Sequence, residues 1–203
     1  MTLTPCAASP AFTADRRRCG RLAASCLLKD IPLNTNPPRI EPERPGDATA
    51  IGQLTTTAFA PMPFSDGDEA RVIDALREAG ALTISLVAIA ADGELVGHVA
   101  FSPVRIDGQE GDWYGLGPVS VAPGLQGRGV GSALILDGLD RLRTLKAGGC
   151  VLLGDPNYYR RFGFVSDPVL TYQGKPNRYF QHLVLAAPGR AGDVSFHPAF
   201  DPP

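Results

Sequence analysis

The sequence predicts a mixed α/β fold of the α+β class, and three local patterns support it. Two apolar runs, 82–91 and 94–105, are joined by Asp92-Gly93, which is typical of a β-hairpin. Residues 68–79 repeat apolar side chains at helical spacing. A glycine-rich stretch, 126–132, joins a Val-rich segment to a Leu-rich one, as at a strand-to-helix junction. Strand and helix signals therefore mix within one chain.

The first half of the chain contains two predicted helices between strands. A short strand covers Arg39–Pro42, and the start signal Pro45-Gly46-Asp47 predicts a helix that runs to Phe59. The second helix covers 68–79, with its buried face formed by Val72, Ala75, Leu76 and Ala79. The two hairpin strands follow this helix.

The second half begins with a strand over 112–121 and a long helix over 127–146. A short buried strand, 150–153, follows the helix-ending pair Gly148-Gly149. The remaining elements are a short helix capped by Asp155, opened by Pro156 and stopped by Gly163, a strand from Phe164 onward and a last strand over 179–185. The predicted order is β-α-α-β-β-β-α-β-α-β-β, about seven strands and four helices.

Charge is distributed unevenly along the 203 residues. The segment 1–37 has a net charge of +3, from Arg16, Arg17, Arg18, Arg21 and Lys29 against Asp15 and Asp30. We expect it to be a disordered basic extension; a targeting segment and an upstream translation start are the alternatives. The rest, 38–203, is predicted to be one domain with a net charge of −5.

Composition excludes several classes of protein. No run of 18 apolar residues exists, so we expect no membrane span. The net negative charge of the domain argues against nucleic acid as a partner. Three of the four cysteines fall in the first 26 residues without forming a disulfide framework, so we expect a cytoplasmic protein. No Cys/His cluster has metal-ligand spacing, and we expect no metal.

The most informative stretch runs from Gln126 to Ser132, with glycines at 127, 129 and 131. It opens a helix, where the first four backbone N–H groups are unpaired and carry a partial positive charge. Backbone groups that converge without intervening side chains form a socket for a phosphate or pyrophosphate. The alternative is a turn that only lets strand and helix pack closely.

Two common phosphate-binding loops do not fit this stretch. A nucleotide triphosphatase loop ends in Gly-Lys-Ser or Gly-Lys-Thr, whereas this one ends in Gly131-Ser132. A dinucleotide-binding loop has G-x-G-x-x-G after the first strand, with an acidic residue about 20 positions later. Here the glycines alternate and lie deep in the chain.

The segment Gln126-Gly127-Arg128-Gly129-Val130-Gly131 resembles the pyrophosphate-binding loop of the GCN5-related N-acetyltransferases, (Gln or Arg)-x-x-Gly-x-(Gly or Ala). The resemblance extends from about Arg39 to Phe200. It is closest to a bacterial branch of predicted N-acetyltransferases, through two further segments. These are Leu116-Gly117-Pro118-Val119-Ser120-Val121 and Gly154-Asp155-Pro156-Asn157-Tyr158-Tyr159-Arg160-Arg161-Phe162-Gly163-Phe164.

This resemblance implies a mostly antiparallel sheet that is splayed between its fourth and fifth strands, flanked by four helices. It also implies acetyl-coenzyme A as co-substrate, with no metal. The residues it places at the coenzyme are Val119, Ser120, Val121, Gln126, Gly127, Arg128, Gly129, Val130, Gly131, Ser132, Asn157 and Tyr159.

Pro118 interrupts an otherwise regular strand pattern. Proline cannot donate to a β-ladder, so we expect an edge or a bulge at this point. In the resembling family this strand separates from the next, and pantetheine bonds to the freed backbone. A tolerated proline in an edge strand is the alternative.

Acetyl transfer to an amine needs a polarised thioester carbonyl and a proton for the leaving thiolate. The resemblance places the polarising backbone N–H near Val121 and the proton donor at Tyr159, four residues before Gly163. A phenol with a pKa of about 10 can protonate an adjacent thiolate. Tyr158 is then the packing residue, although Tyr159 as a core aromatic is the alternative.

The base that accepts the amine proton is not resolved by the sequence. Glu69 and Asp112 are the candidates; Asp155 is explained as a helix cap and His98 as a core histidine.

The acceptor pocket is expected from the family's variable segments: 59–68 with its apolar Pro61-Met62-Pro63-Phe64, the turn 108–112, Trp113, Tyr114 and 172–179. We therefore expect an amine on a small molecule or peptide as acceptor and direct attack in a ternary complex. The protein is expected to be a monomer or homodimer. The alternative function is a non-catalytic sensor of acetyl-coenzyme A.

Overall fold

The computed structural model describes residues 37–63 and 65–201, so nearly all of the predicted extension lies outside the described residues. The helices of this part are α1 (Ala48–Phe59), α2 (Glu69–Glu78), α3 (Val130–Thr144) and the one-turn α4 (Pro156–Tyr159). Its strands are β1 (Arg39–Pro42), β2 (Ile84–Ile89), β3 (Leu95–Pro103), β4 (Arg105–Ile106), β5 (Trp113–Val121), β6 (Gly149–Leu153), β7 (Leu170–Tyr172), β8 (Phe180–Val184) and β9 (Gly192–Ser195).

Six of these strands form the main sheet, in the order β1-β2-β3-β5-β6-β8. Every neighbouring pair is antiparallel except β5 and β6, which are parallel. The mixed, mostly antiparallel sheet with four helices confirms the predicted fold class.

The structure adds a second sheet that the sequence pattern did not predict. β4, β9 and β7 form it in that order, with β9 in the centre. The strand expected from Phe164 onward is reduced to one bridge between Val165 and His182. The strand predicted from Phe164 onward is therefore not part of the main sheet, and the chain after it contributes β7 and β9 to the small sheet.

The bulge expected at Pro118 is present in β5. Val99 of β3 pairs with Val119, whereas Phe101 pairs with Leu116, so β5 contains one more residue than β3 in this interval. An extra residue bends a strand and increases its twist. The prediction of a bulge is confirmed.

Opposite faces of the main sheet are covered by different elements. α3 packs on one face, in a core that contains Phe101, Leu134, Leu139 and Leu142. On the other face α1 and α2 pack through Ile51 and Ile73. The small sheet belongs to a separate cluster that includes Trp113, Val151, Phe180 and Val194. The gap between β5 and β6 described below lies beside α3.

A buried polar network crosses β2 and β3. The Ser85 hydroxyl hydrogen-bonds the Glu43 carboxylate and lies 2.8 Å from His98 Nε2. Arg77 Nε donates to Glu43 Oε1 at 2.7 Å. If Ser85 donates to the carboxylate, it accepts from Nε2–H, and His98 is then the neutral tautomer that carries its proton on Nε2. His98 is fully buried and its Nδ1 has no protein partner, so it is a core histidine whose hydrogen bonding is incomplete.

We expect Gly138→Ala to destabilise the fold, because a Cβ at this position of α3 would overlap the Phe101 ring. Overpacking of a core costs about 1–3 kcal/mol, more than the helix propensity gained by alanine. The control is Gly52→Ala in α1, where a Cβ meets nothing within 4 Å; it should be neutral or stabilising. Urea unfolding of both variants measures the difference, and equal stabilities would contradict the packing.

We also expect His98 to make the fold sensitive to acid. Burial lowers its pKa to about 4, despite the opposing effect of Glu43. The unfolded chain binds the proton first as pH falls, so stability is lost between about pH 6.5 and 4, by roughly 3 kcal/mol. Replacing His98→Gln should flatten the dependence of unfolding free energy on pH in this window. An unchanged slope in the His98 variant would contradict the assignment.

Candidate functional site

β5 and β6 are paired over only a short distance. Their register joins Trp113 to Gly149, Tyr114 to Cys150 and Gly115 to Val151, and no pair follows in the described residues. β5 continues to Val121 while β6 ends at Leu153. The two strands that were predicted as the fourth and fifth therefore separate beyond Gly115, as the family resemblance implied.

The separation exposes backbone donors of β5. Ala122 N–H donates to Val96 O of β3 at 3.0 Å. Alternate residues of a strand direct their N–H groups to opposite sides, so the N–H groups of Val121 and Val119 point away from β3 and into the gap. Val121 O points the same way and accepts a 3.1 Å hydrogen bond from Gln126 Nε2. A polar chain placed in the gap would meet a row of such groups.

The glycine-rich loop leads from this strand into α3. Gly127 and Gly129 have φ values of 71° and 91°, a left-handed conformation that favours glycine, and α3 begins only at Val130. The predicted helix start at Gly127 is therefore three residues too early. The first turn of α3 contains no acidic residue, so its N-terminal N–H groups present positive charge toward solvent.

The two glycines after Arg128 have different surroundings. A Cβ at Gly129 would meet nothing within 4 Å, which fits a position that faces a ligand. A Cβ at Gly131 would lie 3.2 Å from Tyr158 Oη and 3.5 Å from Val121 Cγ2. Gly131 therefore provides close packing between α3 and α4, rather than open space for a phosphate as at Gly129.

The short helix α4 is built as the sequence indicated. Asp155 is its N-cap and accepts a 2.9 Å hydrogen bond from Asn157 N, while Gly163 (φ 90°) ends the following turn. The interpretation of Asp155 as a cap is confirmed. Asn157, the second residue of α4, is exposed.

The two adjacent tyrosines of α4 point in different directions. The Tyr159 ring contacts Gly154 and packs edge-on to Phe164, and burial raises the pKa of its phenol. The Tyr158 hydroxyl instead reaches the first turn of α3, close to Val121. The Tyr158 hydroxyl thus lies near both Val121 and Gly131, whereas the sequence predicted Tyr158 to be a packing residue. The turn of about 100° between helical neighbours was the only sequence signal that the two tyrosines point in different directions.

The two candidate bases lie in different parts of the fold. Glu69 is the first residue of α2, is half-buried, and accepts a 2.8 Å hydrogen bond from Ser65 Oγ. Asp112 precedes β5, at the end opposite Val121, and its carbonyl accepts from Gly148 N. At roughly 3.3 Å per residue, the strand separates Asp112 from Val121 by about 30 Å. The geometry is therefore inconsistent with Asp112 as a base at Val121, and only Glu69 is retained.

The same geometry corrects part of the expected acceptor pocket. Trp113 is 1% exposed and belongs to the core beneath the small sheet, where its ring packs on Gly149. The turn 108–112 lies at the same remote end of β5. Tyr172 is half-buried and Tyr179 is exposed, whereas Phe64 lies outside the described residues.

Within 37–63 and 65–201, no group of three or more His, Cys, Asp or Glu side chains is placed to hold a metal ion. No helix in that part of the chain combines the length and the apolar character needed to cross a membrane.

Comparison with known proteins identifies the family to which this arrangement belongs. Residues 51–164 match the family model described as Acetyltransferase (GNAT) family. The uncharacterized N-acetyltransferase YhbS of Escherichia coli K12 is 36% identical over 168 residues, which cover 80% of this chain and 98% of YhbS.

Two solved structures are similar and contain the coenzyme. A GNAT family acetyltransferase from Brucella melitensis in complex with acetyl-CoA is 52% identical, with a TM-score of 0.71 over 80% of this chain and 97% of the other. The E. coli YhbS structure in complex with CoA is 34% identical, with a TM-score of 0.75 over 82% and 93%. The chain therefore belongs to the GNAT family of acetyltransferases.

Proposed function

We propose that residues 38–203 form one catalytic domain, in the cytoplasm, that acetylates a primary amine of a small molecule or peptide. The acetyl group passes directly from acetyl-coenzyme A to the amine in a ternary complex. The observation that carries the proposal is the convergence of the β5–β6 gap, the N-terminus of α3 and the Tyr158-Tyr159 pair at one place. In this arrangement the helix N-terminus would bind the pyrophosphate of the coenzyme, and the unpaired strand edge would bind its pantetheine chain.

The coenzyme is assigned to the surfaces described above. The pyrophosphate binds the backbone N–H groups from Gly127 to Ser132, with Arg128 beside it. Pantetheine extends along Val119, Ser120 and Val121, bonding to the strand edge as an added strand would. Ser120 lies along this path but offers no polar group to it, because its hydroxyl donates to Thr55 Oγ1 at 2.9 Å in the core and its backbone groups face β3. Asn157 adjoins this path on α4.

The reaction forms a C–N bond and breaks the C–S bond of the thioester. The neutral amine attacks the carbonyl carbon, and the Val121 N–H stabilises the negative charge that develops on the carbonyl oxygen. When the intermediate collapses, the sulfur leaves as a thiolate and takes a proton from Tyr159. Burial keeps this phenol protonated until that step.

Glu69 is the proposed acceptor of the proton that the ammonium group loses. Its carboxylate is held by Ser65 at the start of α2, and a water molecule between Glu69 and the amine would complete the transfer. The attacking nitrogen loses its second proton as the intermediate collapses, and that proton restores the phenol of Tyr159, so the products are the amide, the coenzyme thiol and one proton held by Glu69.

We expect Gly129→Ala to weaken acetyl-coenzyme A binding at least tenfold, since its methyl group would project into the space assigned to the pyrophosphate. The φ of 91° also makes alanine unfavourable by about 1–2 kcal/mol. Gly93→Ala, in the β2–β3 turn with φ 89° and open surroundings, controls for this backbone effect. Calorimetry and thermal melting compare the two. Equal coenzyme affinity in both variants would contradict the placement of the pyrophosphate.

Replacing Tyr159→Phe should lower kcat by about 100-fold with little change in coenzyme affinity, because only the donated proton is lost. Tyr158→Phe is the matched control and should retain most of kcat. Thiol release with a panel of amines and peptide N-termini measures both. If Tyr158→Phe is the inactive variant, the donor is Tyr158; if wild type binds the coenzyme but acetylates no amine, the sensor alternative replaces catalysis.

A further inference from the structure

Arg161 lies on the turn after α4 and is held by Tyr158 at two points. Its Cζ lies 4.6 Å from the centroid of the Tyr158 ring, and its Nε–H donates to Tyr158 O at 2.8 Å. The stacked ring and this hydrogen bond orient the guanidinium while leaving its two terminal NH₂ groups unused by these contacts. The side chain is therefore ordered although the residue is exposed.

The same tyrosine connects Arg161 to the loop. Tyr158 Oη lies 3.2 Å from the point that a Gly131 Cβ would occupy, in the first turn of α3. The guanidinium therefore stacks on the ring whose hydroxyl reaches the first turn of α3.

This arrangement brings positive charges together without a protein counter-ion. The ion pairs of the described residues involve other arginines, and none includes Arg128, Arg160 or Arg161. The N-terminus of α3 is itself positive and has no acidic residue in its first turn. An oriented guanidinium near a positive helix end, with solvent around both, offers two groups that can bind the same anion.

We propose that Arg161, oriented by the Tyr158 ring, binds a phosphate group of acetyl-coenzyme A beside the first turn of α3. The inference rests on the coenzyme placement proposed above and adds a side-chain contact from α4 to the backbone contacts from the loop. The planar guanidinium can bind two phosphate oxygens at once. Coenzyme A carries two such groups, the pyrophosphate and the 3′-phosphate, and both have this chemistry.

The test measures affinities by calorimetry for coenzyme A and for 3′-dephospho-coenzyme A. Arg161→Ala should weaken coenzyme A binding about 10- to 100-fold, the range for charge-assisted hydrogen bonds. Arg160→Ala is the matched control, since Arg160 is the exposed neighbour and, within the described residues, its guanidinium lies over no aromatic ring; it should change affinity less than threefold. Arg161→Gln, which keeps most of the side-chain length, should behave as the alanine variant does.

The two ligands identify the phosphate. A loss seen with coenzyme A and absent with 3′-dephospho-coenzyme A assigns Arg161 to the 3′-phosphate, and an equal loss with both assigns it to the pyrophosphate. Equal affinities of the Arg161 and Arg160 variants for coenzyme A overturn the inference while leaving the proposed function intact. A wild-type protein that binds neither ligand overturns the proposed function itself.

Discussion

The separation of β5 from β6 after Gly115 is the constraint on which the rest of the site depends. Backbone N–H groups that are enclosed by a fold must find partners, and here the outward-facing groups of Val119 and Val121 have no strand beside them. The pair is held closed at its other end by two rings that lie on glycines. Trp113 packs where a Gly149 Cβ would be, and Phe196 does the same at Gly115. The space between β5 and β6 is thus closed at one end and open at the end where α3 begins.

The position of α3 depends on close contact with the sheet. Gly138 lets the helix approach Phe101 of β3, and Gly97 of β3 lets Val130 and Leu134 approach in return. Gly97 is also the register partner of Val121. The contacts of α3 with Gly97, on the β3 side of β5, therefore hold the N-terminus of α3 near Val121. The opposite edge of Val121 faces the gap between β5 and β6. The N-terminus of α3 and the free edge of β5 form one surface because the same glycine contacts position both.

Features of this fold that depend on residues close together in the sequence could be predicted from the sequence. The hairpin, α1 to α3, the Asp155 cap and the bulge at Pro118 follow from turn chemistry, periodicity and the missing N–H of proline. The small sheet could not be predicted in this way. β4 has two residues and pairs with β9, which lies almost ninety positions later, and so short a strand has no periodicity to detect. That β5 pairs with β6 only at the end where Asp112 and Trp113 lie became clear from the register.

The direction of each tyrosine could not be predicted either, because α4 is one turn long and has no repeating face. Its tertiary contacts decide the outcome: Gly154 and Phe164 accept the Tyr159 ring, and Gly131 admits the Tyr158 hydroxyl. The edge-on contact of the two rings, with centroids 4.9 Å apart, couples these positions. A change at Gly131 that displaces Tyr158 would therefore also act on Tyr159 and on the guanidinium of Arg161. The third glycine of the loop thus links the proposed coenzyme socket to the tyrosine that we propose as proton donor.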